Sequence, residues 1–335
     1  IGLGYDSIRK DLGCMPENAP DGGMPMPDII LGSSGVCDPR FKWFQACGRF
    51  MTVPTFSIDV MYPPVHCDLN AVRDHYIRYQ KEQFEGLIAF VEKQTGKPLD
   101  KERLWETIRL GDEAWRLWYE SDRLRMAKPC VMPSQDHFSV MVPAYYYSGT
   151  QEAVDFFRDL VEEVKYKVEH KLAVIPDEKY RILYGGGLPP WHTMWFFNYF
   201  ESFGAVFVIE NQYRAFDPVE VPSHVKDPVE FLAWRTFLRY TRHHEQAKAN
   251  SGSPVVERIL ELIKDYDIDG VFFHACRSCR ATTIGQIHTK NTLGRYTDLP
   301  MTQFVSDMVD LRDYSEAQWK AQIHAFLESL AARKK

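Results

Sequence analysis

The chain has no surplus of basic charge. Forty Lys and Arg stand against 46 Asp and Glu, a net of −6, which excludes the basic footprint of non-specific nucleic-acid binding. It also lacks any apolar run of about 18 residues, so no membrane-spanning helix is expected. The first residues, Ile1-Gly2-Leu3-Gly4-Tyr5-Asp6, do not have the layout of a signal peptide. There is no initiator Met, so the natural start is expected to have been processed or to lie upstream. Seven cysteines in 335 residues are an odd number in a large chain. That argues against a secreted disulfide framework and favours a reducing cytoplasm. The Gly185-Gly186-Gly187 run is followed by no Gly-Lys-Ser/Thr and does not match G-x-G-x-x-G, so neither common nucleotide loop is present. Internal repeats and low-complexity linkers are absent too.

What remains is an alternation of strand and helix signals. Tyr180 to Tyr184, Ala205 to Ile209, Asp269 to His274 and Thr302 to Val305 read as short apolar strands. Helical patterns lie between and around them, over Thr193 to Ser202, Pro228 to Ala249, Val255 to Tyr266 and Ser315 to Ala332. The last opens on a capping box, Ser315-Glu316-Ala317-Gln318. In the first half, Pro27 to Ser33 and Pro54 to Val60 read as strands. Leu69 to Gln94, Asp100 to Met126 and Gln151 to His170 read as helices. The pattern predicts an α/β fold of two doubly wound, flavodoxin-like lobes with helical additions, over residues 1–175 and 176–335.

Two cysteine sites follow predicted strands, where open α/β sheets bind ligands. Cys37 closes Ser33-Ser34-Gly35-Val36-Cys37, whose small residues allow close backbone approach. Cys276 and Cys279 stand in His274-Ala275-Cys276-Arg277-Ser278-Cys279-Arg280. A C-x-x-C pair has three common meanings: half a zinc site, a redox dithiol, or ligands of an iron–sulfur cluster. No second C-x-x-C is present, and the pair does not follow the first strand of its lobe, so the third meaning is favoured. The glycine run after Tyr184 can admit a phosphate or a pantetheine arm, or offer backbone N–H groups to an anion. His192 is a candidate proton donor, and Trp191 and Trp195 can floor a pocket for a flat substrate. Cys47, Cys67 and Cys130 read as packed thiols, and His243-His244 as solvated.

Cys37-Asp38 after a strand, Arg277-Ser278-Cys279-Arg280 late in the chain and Gly285-Gln286 after it resemble the 2-hydroxyacyl-CoA dehydratase and benzoyl-CoA reductase family, from Tyr5 to about Leu330. The resemblance implies a two-lobed subunit holding a [4Fe–4S] cluster between its lobes. It implies pairing with a homologous sister subunit, and low-potential electrons from ATP-hydrolysing iron–sulfur activator subunits fed indirectly by reduced ferredoxin. By position, Cys37 and Cys279 would be cluster ligands, with Cys276 another. Where the family has a first cysteine, this chain has Tyr5 or Asp6, so Cys276, Cys14 or Cys47 is the candidate replacement. Phe41, Trp43, Phe44, Trp191, Trp195 and Phe196 suit an aromatic ring and favour the benzoyl-CoA reductase branch. The acyl-CoA substrate would then meet Trp43, Gly186, Gly187 and Trp191, with His192 giving the proton as the ring is reduced to a cyclic diene thioester. Arg277 or Arg280 would bind CoA phosphates. The alternatives are a 2-hydroxyacyl-CoA dehydratase subunit, a non-catalytic electron-transfer subunit and, outside iron–sulfur chemistry, a zinc-stabilised binding protein.

Overall fold

The computed structural model describes residues 13, 15, 17, 19, 22–23, 25–35 and 38–334. Cys14 and Cys37 lie outside the described residues, as do Tyr5 and Asp6. The chain divides into two compact units. The first comprises 1–100, 222–237 and 279–281; the second comprises 101–221, 238–278 and 282–335.

In the first unit, β1 (Ile30–Ser33) and β2 (Thr55–Ile58) pair in parallel, Ile30 opposite Thr55 and Ser33 opposite Ile58. Helix α1 (Asp38–Met51) is the crossover between them. Its Cys47 and Met51 bury against Ile30, and Trp43, Phe44 and Val53 pack on that small core. A long helix follows, α2 (Leu69–Thr95). The Asp68 side chain caps its start by accepting from the Asn70 N–H at 2.9 Å. Gly96 ends it in the left-handed region, φ 69°, its N–H bonded to the Glu92 carbonyl.

The second unit holds a four-stranded parallel sheet in the order β4-β3-β5-β6, made of β3 (Tyr180–Gly186), β4 (Ala205–Glu210), β5 (Gly270–Cys276) and β6 (Met301–Ser306). Side chains alternate across such strands, and here both faces are buried. Ile182, Tyr184, Phe207, Phe272 and Phe304 form one core with the helices Trp195–Glu201 and Glu316–Arg333. Leu183, Val206, Val208, Val271 and Phe273 form the other with the helix Pro254–Asp265. Each large side chain so buried contributes about 1.5–3 kcal/mol. A third core joins α3 (Lys101–Leu124), α4 (Ser134–Tyr146) and α5 (Gln151–Glu169) around Trp118 and Phe157. The α/β class with parallel strands is as read from the sequence.

The order matters for function. β3 is followed by β4 on one side of it, whereas β5 lies on the other side. The sheet therefore reverses its winding between β3 and β5, and ligands of open α/β sheets bind outside the carboxyl ends of the strands at such a switch point.

Candidate active site at the strand ends

The loops that leave β3 and β5 carry most of the residues singled out in the sequence. Gly186 ends β3, and Gly187, Trp191 and His192 follow it; Cys276 ends β5. Gly187 has φ +98°, and a Cβ there would lie 1.7 Å from the His274 carbonyl oxygen. Only glycine lets the loop backbone close on β5 at this point. A Cβ on Gly185 would come within 2.5 Å of the Val271 side chain. The glycine run is thus required by strand–loop packing, whatever else it contacts.

His274 fixes the loop from the other side. It is fully buried. Its Nδ1–H donates to the Leu188 carbonyl, and its Nε2 accepts from the Ser306 hydroxyl at 2.9 Å. Burial pushes its pKa down to about 4, consistent with that neutral tautomer. The Tyr184 hydroxyl donates to the same Leu188 carbonyl at 3.1 Å. The Gln286 amide holds the His274 carbonyl at 2.9 Å and accepts from Gln303 on β6 at 2.7 Å.

His192 is oriented by one bond. Its Nδ1 lies 3.0 Å from the Met308 carbonyl, which makes Nδ1 the donor. The opposite nitrogen, Nε2, is withdrawn from solvent and has no hydrogen-bond partner among the described residues. A buried polar atom without a partner costs about 1–3 kcal/mol. Beside it, Trp191 packs edge-on to Phe138 and Tyr213, at 5.8 and 6.1 Å between ring centres. Trp195 instead turns its indole N–H to the Tyr314 hydroxyl at 2.6 Å and joins the core.

Asp307, at the end of β6, ties these loops together. It accepts from the N–H groups of Val309 and Asp310 at 2.9 and 3.0 Å. Burial opposes its charge, but the Ser278 hydroxyl and three backbone N–H groups outweigh this and lower its pKa. One carboxylate therefore braces both the Cys276–Cys279 turn, through Ser278, and the loop whose Met308 carbonyl holds His192.

Cys276 is fully buried, its Sγ 3.4 Å from the Ser278 hydroxyl, and the Thr283 hydroxyl bonds its carbonyl at 2.8 Å. Cys279 is buried as well. Thiols suit a soft metal centre, and a [4Fe–4S] cluster usually takes four of them; the one group of three or more metal-ligating side chains among the described residues includes neither cysteine. Cys47 packs in the first unit's core. Cys130 is buried in the second, where burial pushes its thiol up to about 11. Trp43 lies on α1, stacked on Phe44 at 5.0 Å. Arg277 is exposed and paired with Asp313 at 3.1 Å.

Sequence reading missed two clusters. In the first unit, Asp59 follows β2 and accepts from the hydroxyls of Ser34 and Tyr79, the latter at 2.7 Å. These bonds, that from Ser34 first, lower its pKa. In the second unit, Asp122, His137 and Glu210 are fully buried and close enough together to hold a metal ion, alone in that among the described residues. The fully buried Arg125 guanidinium already bonds two of the three. It forks Glu210 at 2.8 and 2.9 Å and reaches Asp122 at 3.3 Å. His137 Nε2 lies 2.8 Å from Asp122. With a fixed cation in place, the cluster is an ion network, not a metal site. The signal for it was Glu210, a charged residue closing an otherwise apolar strand.

The family profile described as 2-hydroxyglutaryl-CoA dehydratase, D-component, matches residues 6–330. The (R)-phenyllactyl-CoA dehydratase alpha subunit of Clostridium sporogenes is 25% identical over 332 residues, covering 94% of this chain and 73% of the relative. The (R)-2-hydroxyglutaryl-CoA dehydratase alpha subunit of Acidaminococcus fermentans is 24% identical over 317 residues, covering 92% and 61%. A benzoyl-CoA reductase subunit of Thauera aromatica is 25% identical over 344 residues, covering 96% and 75%.

Proposed function

This chain belongs to the family of the 2-hydroxyglutaryl-CoA dehydratase D-component, and from that premise we propose that it is an iron–sulfur subunit of an ATP-dependent benzoyl-CoA reductase. The observation that carries the choice of substrate is the group of rings around Trp191, the residue before His192. Trp191, Phe138 and Tyr213 pack edge-on around one another, and Trp191 remains partly open to solvent. Such edges suit a flat aromatic acyl group. Trp43, Gly186 and Gly187 are the other proposed substrate contacts.

Cys276 and Cys279, with Cys37, would hold the [4Fe–4S] cluster, which when bound supplies single electrons at low potential. The chain's own part is to position and protonate. His274 and Gly187 fix the loop, the Met308 carbonyl fixes the His192 ring through Nδ1–H, and Nε2 of the imidazolium form would pass a proton to the reduced ring, leaving the neutral imidazole. The chain would act with a homologous sister subunit, a reading supported by the relatives, which are themselves named as subunits. ATP-hydrolysing activator subunits and reduced ferredoxin would deliver the electrons. No helix among the described residues is long and apolar enough to cross a membrane.

A second reading is dehydration of a 2-hydroxyacyl-CoA. It is favoured by the names of the dehydratase relatives, one of which acts on an aromatic acyl-CoA. One assay separates the two. The anaerobic complex is given ATP, a strong reductant and either benzoyl-CoA or (R)-phenyllactyl-CoA. A cyclic diene thioester from the first is the expected product. An enoyl-CoA from the second, with benzoyl-CoA untouched, would overturn ring reduction in favour of dehydration.

A further inference from the structure

The loop that leaves β4 carries two oxygen acceptors without a hydrogen-bond donor among the described residues. Asn211, the first residue after β4, is buried, with 8% of its surface exposed. Its backbone N–H donates to the Tyr184 carbonyl at 2.9 Å. Its side-chain Nδ2–H donates to the Gly185 carbonyl at 3.2 Å. A carbonyl can only accept, so this bond fixes which end of the Asn211 amide is the oxygen. That oxygen, Oδ1, is withdrawn from solvent and unpartnered. Gln212 follows in the same condition: its Oε1 is withdrawn and lacks a partner.

Three residues of this loop join two parts of the strand-end site. At one end, Asn211 is bonded to the glycine run through Gly185. At the other, Tyr213 packs edge-on to Trp191 and to Phe138, each at 6.1 Å between ring centres. Tyr213 is held at φ 60°, a region that residues with a side chain rarely enter. Strain of this kind gathers at ligand sites. The chemistry of the missing partner follows from the atoms. A phosphate or carboxylate would meet oxygen lone pairs and be repelled. A bare hydrocarbon ring would leave the buried oxygen unpaired, which is the costly case. A hydroxyl on a flat group satisfies the oxygen and the rings together.

We propose that Asn211 is a specificity residue whose Oδ1 accepts a hydrogen bond from a hydroxyl on an aromatic acyl group, with Gln212 Oε1 as a second acceptor. The ligand class is a hydroxyl-bearing aromatic thioester. This deepens the acyl-CoA reading above and rests on it. Two positions supply such a hydroxyl: the ring itself, as in 3-hydroxybenzoyl-CoA, or the carbon next to the thioester, as in (R)-phenyllactyl-CoA. A site built to bond a hydroxyl rejects the analogue that lacks it, because the acceptor is then buried unpaired. Benzoyl-CoA would still bind, but more weakly than its hydroxylated counterpart.

The test uses the full chain in its complex, without ATP or reductant, so that binding is read apart from turnover. Two pairs of thioesters are titrated calorimetrically: 3-hydroxybenzoyl-CoA against benzoyl-CoA, and (R)-phenyllactyl-CoA against 3-phenylpropionyl-CoA. In at least one pair the hydroxyl thioester should bind about tenfold tighter or more. A gap in the first pair assigns the ring hydroxyl, and a gap in the second the hydroxyl beside the thioester. 3-Methoxybenzoyl-CoA, which cannot donate, should bind no tighter than benzoyl-CoA. Asn211→Leu should close the gap. Gln212→Leu, at a half-buried position, should narrow it, and with the titrations of the unaltered chain it tests the proposal even if Asn211→Leu fails to fold. Parity within both pairs overturns the contact and leaves the acyl-CoA reading standing. Equal weakening of both members of a pair by Asn211→Leu would make the residue a prop for the Gly185 carbonyl and also overturns the contact. If none of the thioesters binds, the acyl-CoA reading is overturned and the proposal falls with it.

Discussion

The strand-end site and the Arg125 network lie in the same unit and are both buried, and each leaves one imidazole nitrogen without a hydrogen bond among the described residues. In the network, however, that nitrogen, His137 Nδ1, lies 2.5 Å from the Glu210 carboxylate within a set of paired charges. Around Arg125, cations and carboxylates answer one another: Glu210 is forked, Asp122 is shared between Arg125 and His137, and the Arg125 side chain also bonds the Met132 carbonyl at 3.1 Å. Around His192, the scaffold is satisfied but the presenting atom is not. Leu188, Met308 and Asp307 are all engaged, and Nε2 is left over. A closed network stabilises a fold; an open atom held by closed ones is what a ligand site requires.

The largest effect should come from opening the closed network. Arg125→Met removes the guanidinium that forks Glu210 and reaches Asp122, and loss of one partner of a buried pair costs about 3–5 kcal/mol. Thermal or urea unfolding should show it. His192→Gln should cost less than about 1.5 kcal/mol while abolishing turnover. Equal destabilisation by the two would erase the distinction drawn here.

The network should also set a pH window. Burial opposes the charges of Asp122 and Glu210, but His137 and Arg125 hold both carboxyls below their ordinary 3.8 and 4.5. Their stabilisation is present above about pH 4.5 and is lost as pH falls through the depressed folded values. For His137, burial and Arg125 act to lower the pKa, but Glu210 and Asp122 prevail and raise it above 6.5. Its share is complete below pH 6.5 and is lost as pH rises through the raised value. The melting temperature should therefore be highest between about pH 4.5 and 6.5, and His137→Asn should flatten the alkaline limb. An unchanged alkaline limb in that variant would count against a charged His137.

A smaller effect is expected at the open site. Gly187→Ala must clear the His274 carbonyl and adopt a φ near +98°, a strain of about 1–3 kcal/mol. The loop would shift, so turnover should fall more steeply than stability. Full activity in this variant would show that the loop need not close on β5.

The sheet was legible because its signals are local. Gly270-Val271-Phe272-Phe273 is apolar on both faces, as a covered parallel strand must be, and β5 is found there. Ser315 does cap its helix, with the Gln318 N–H 3.5 Å from its hydroxyl. The helix read over Pro228 to Ala249 is broken after Thr241, where His243 turns to bond Glu261 at 2.8 Å. That partner is 18 residues away, and periodicity does not register it. His243 is therefore largely buried, and His244 is buried too, which corrects the reading of both as solvated. α4 was missed because Pro143 interrupts its pattern. The roles of His274 and Asp307 depend on which loops the sheet order brings together, and no single segment encodes that order. His192 could be named from its sequence, but the reason to prefer it, a held Nδ1 and an open Nε2, exists only in three dimensions.

Iron content tests the central claim most directly. Protein purified without oxygen should be brown and carry iron and acid-labile sulfide. Cys276→Ser should lose most of the iron while its melting temperature stays within a few degrees of the unaltered chain. A colourless protein, or one that keeps all its iron after Cys276→Ser, would contradict the assignment of the β5 strand end as a cluster site.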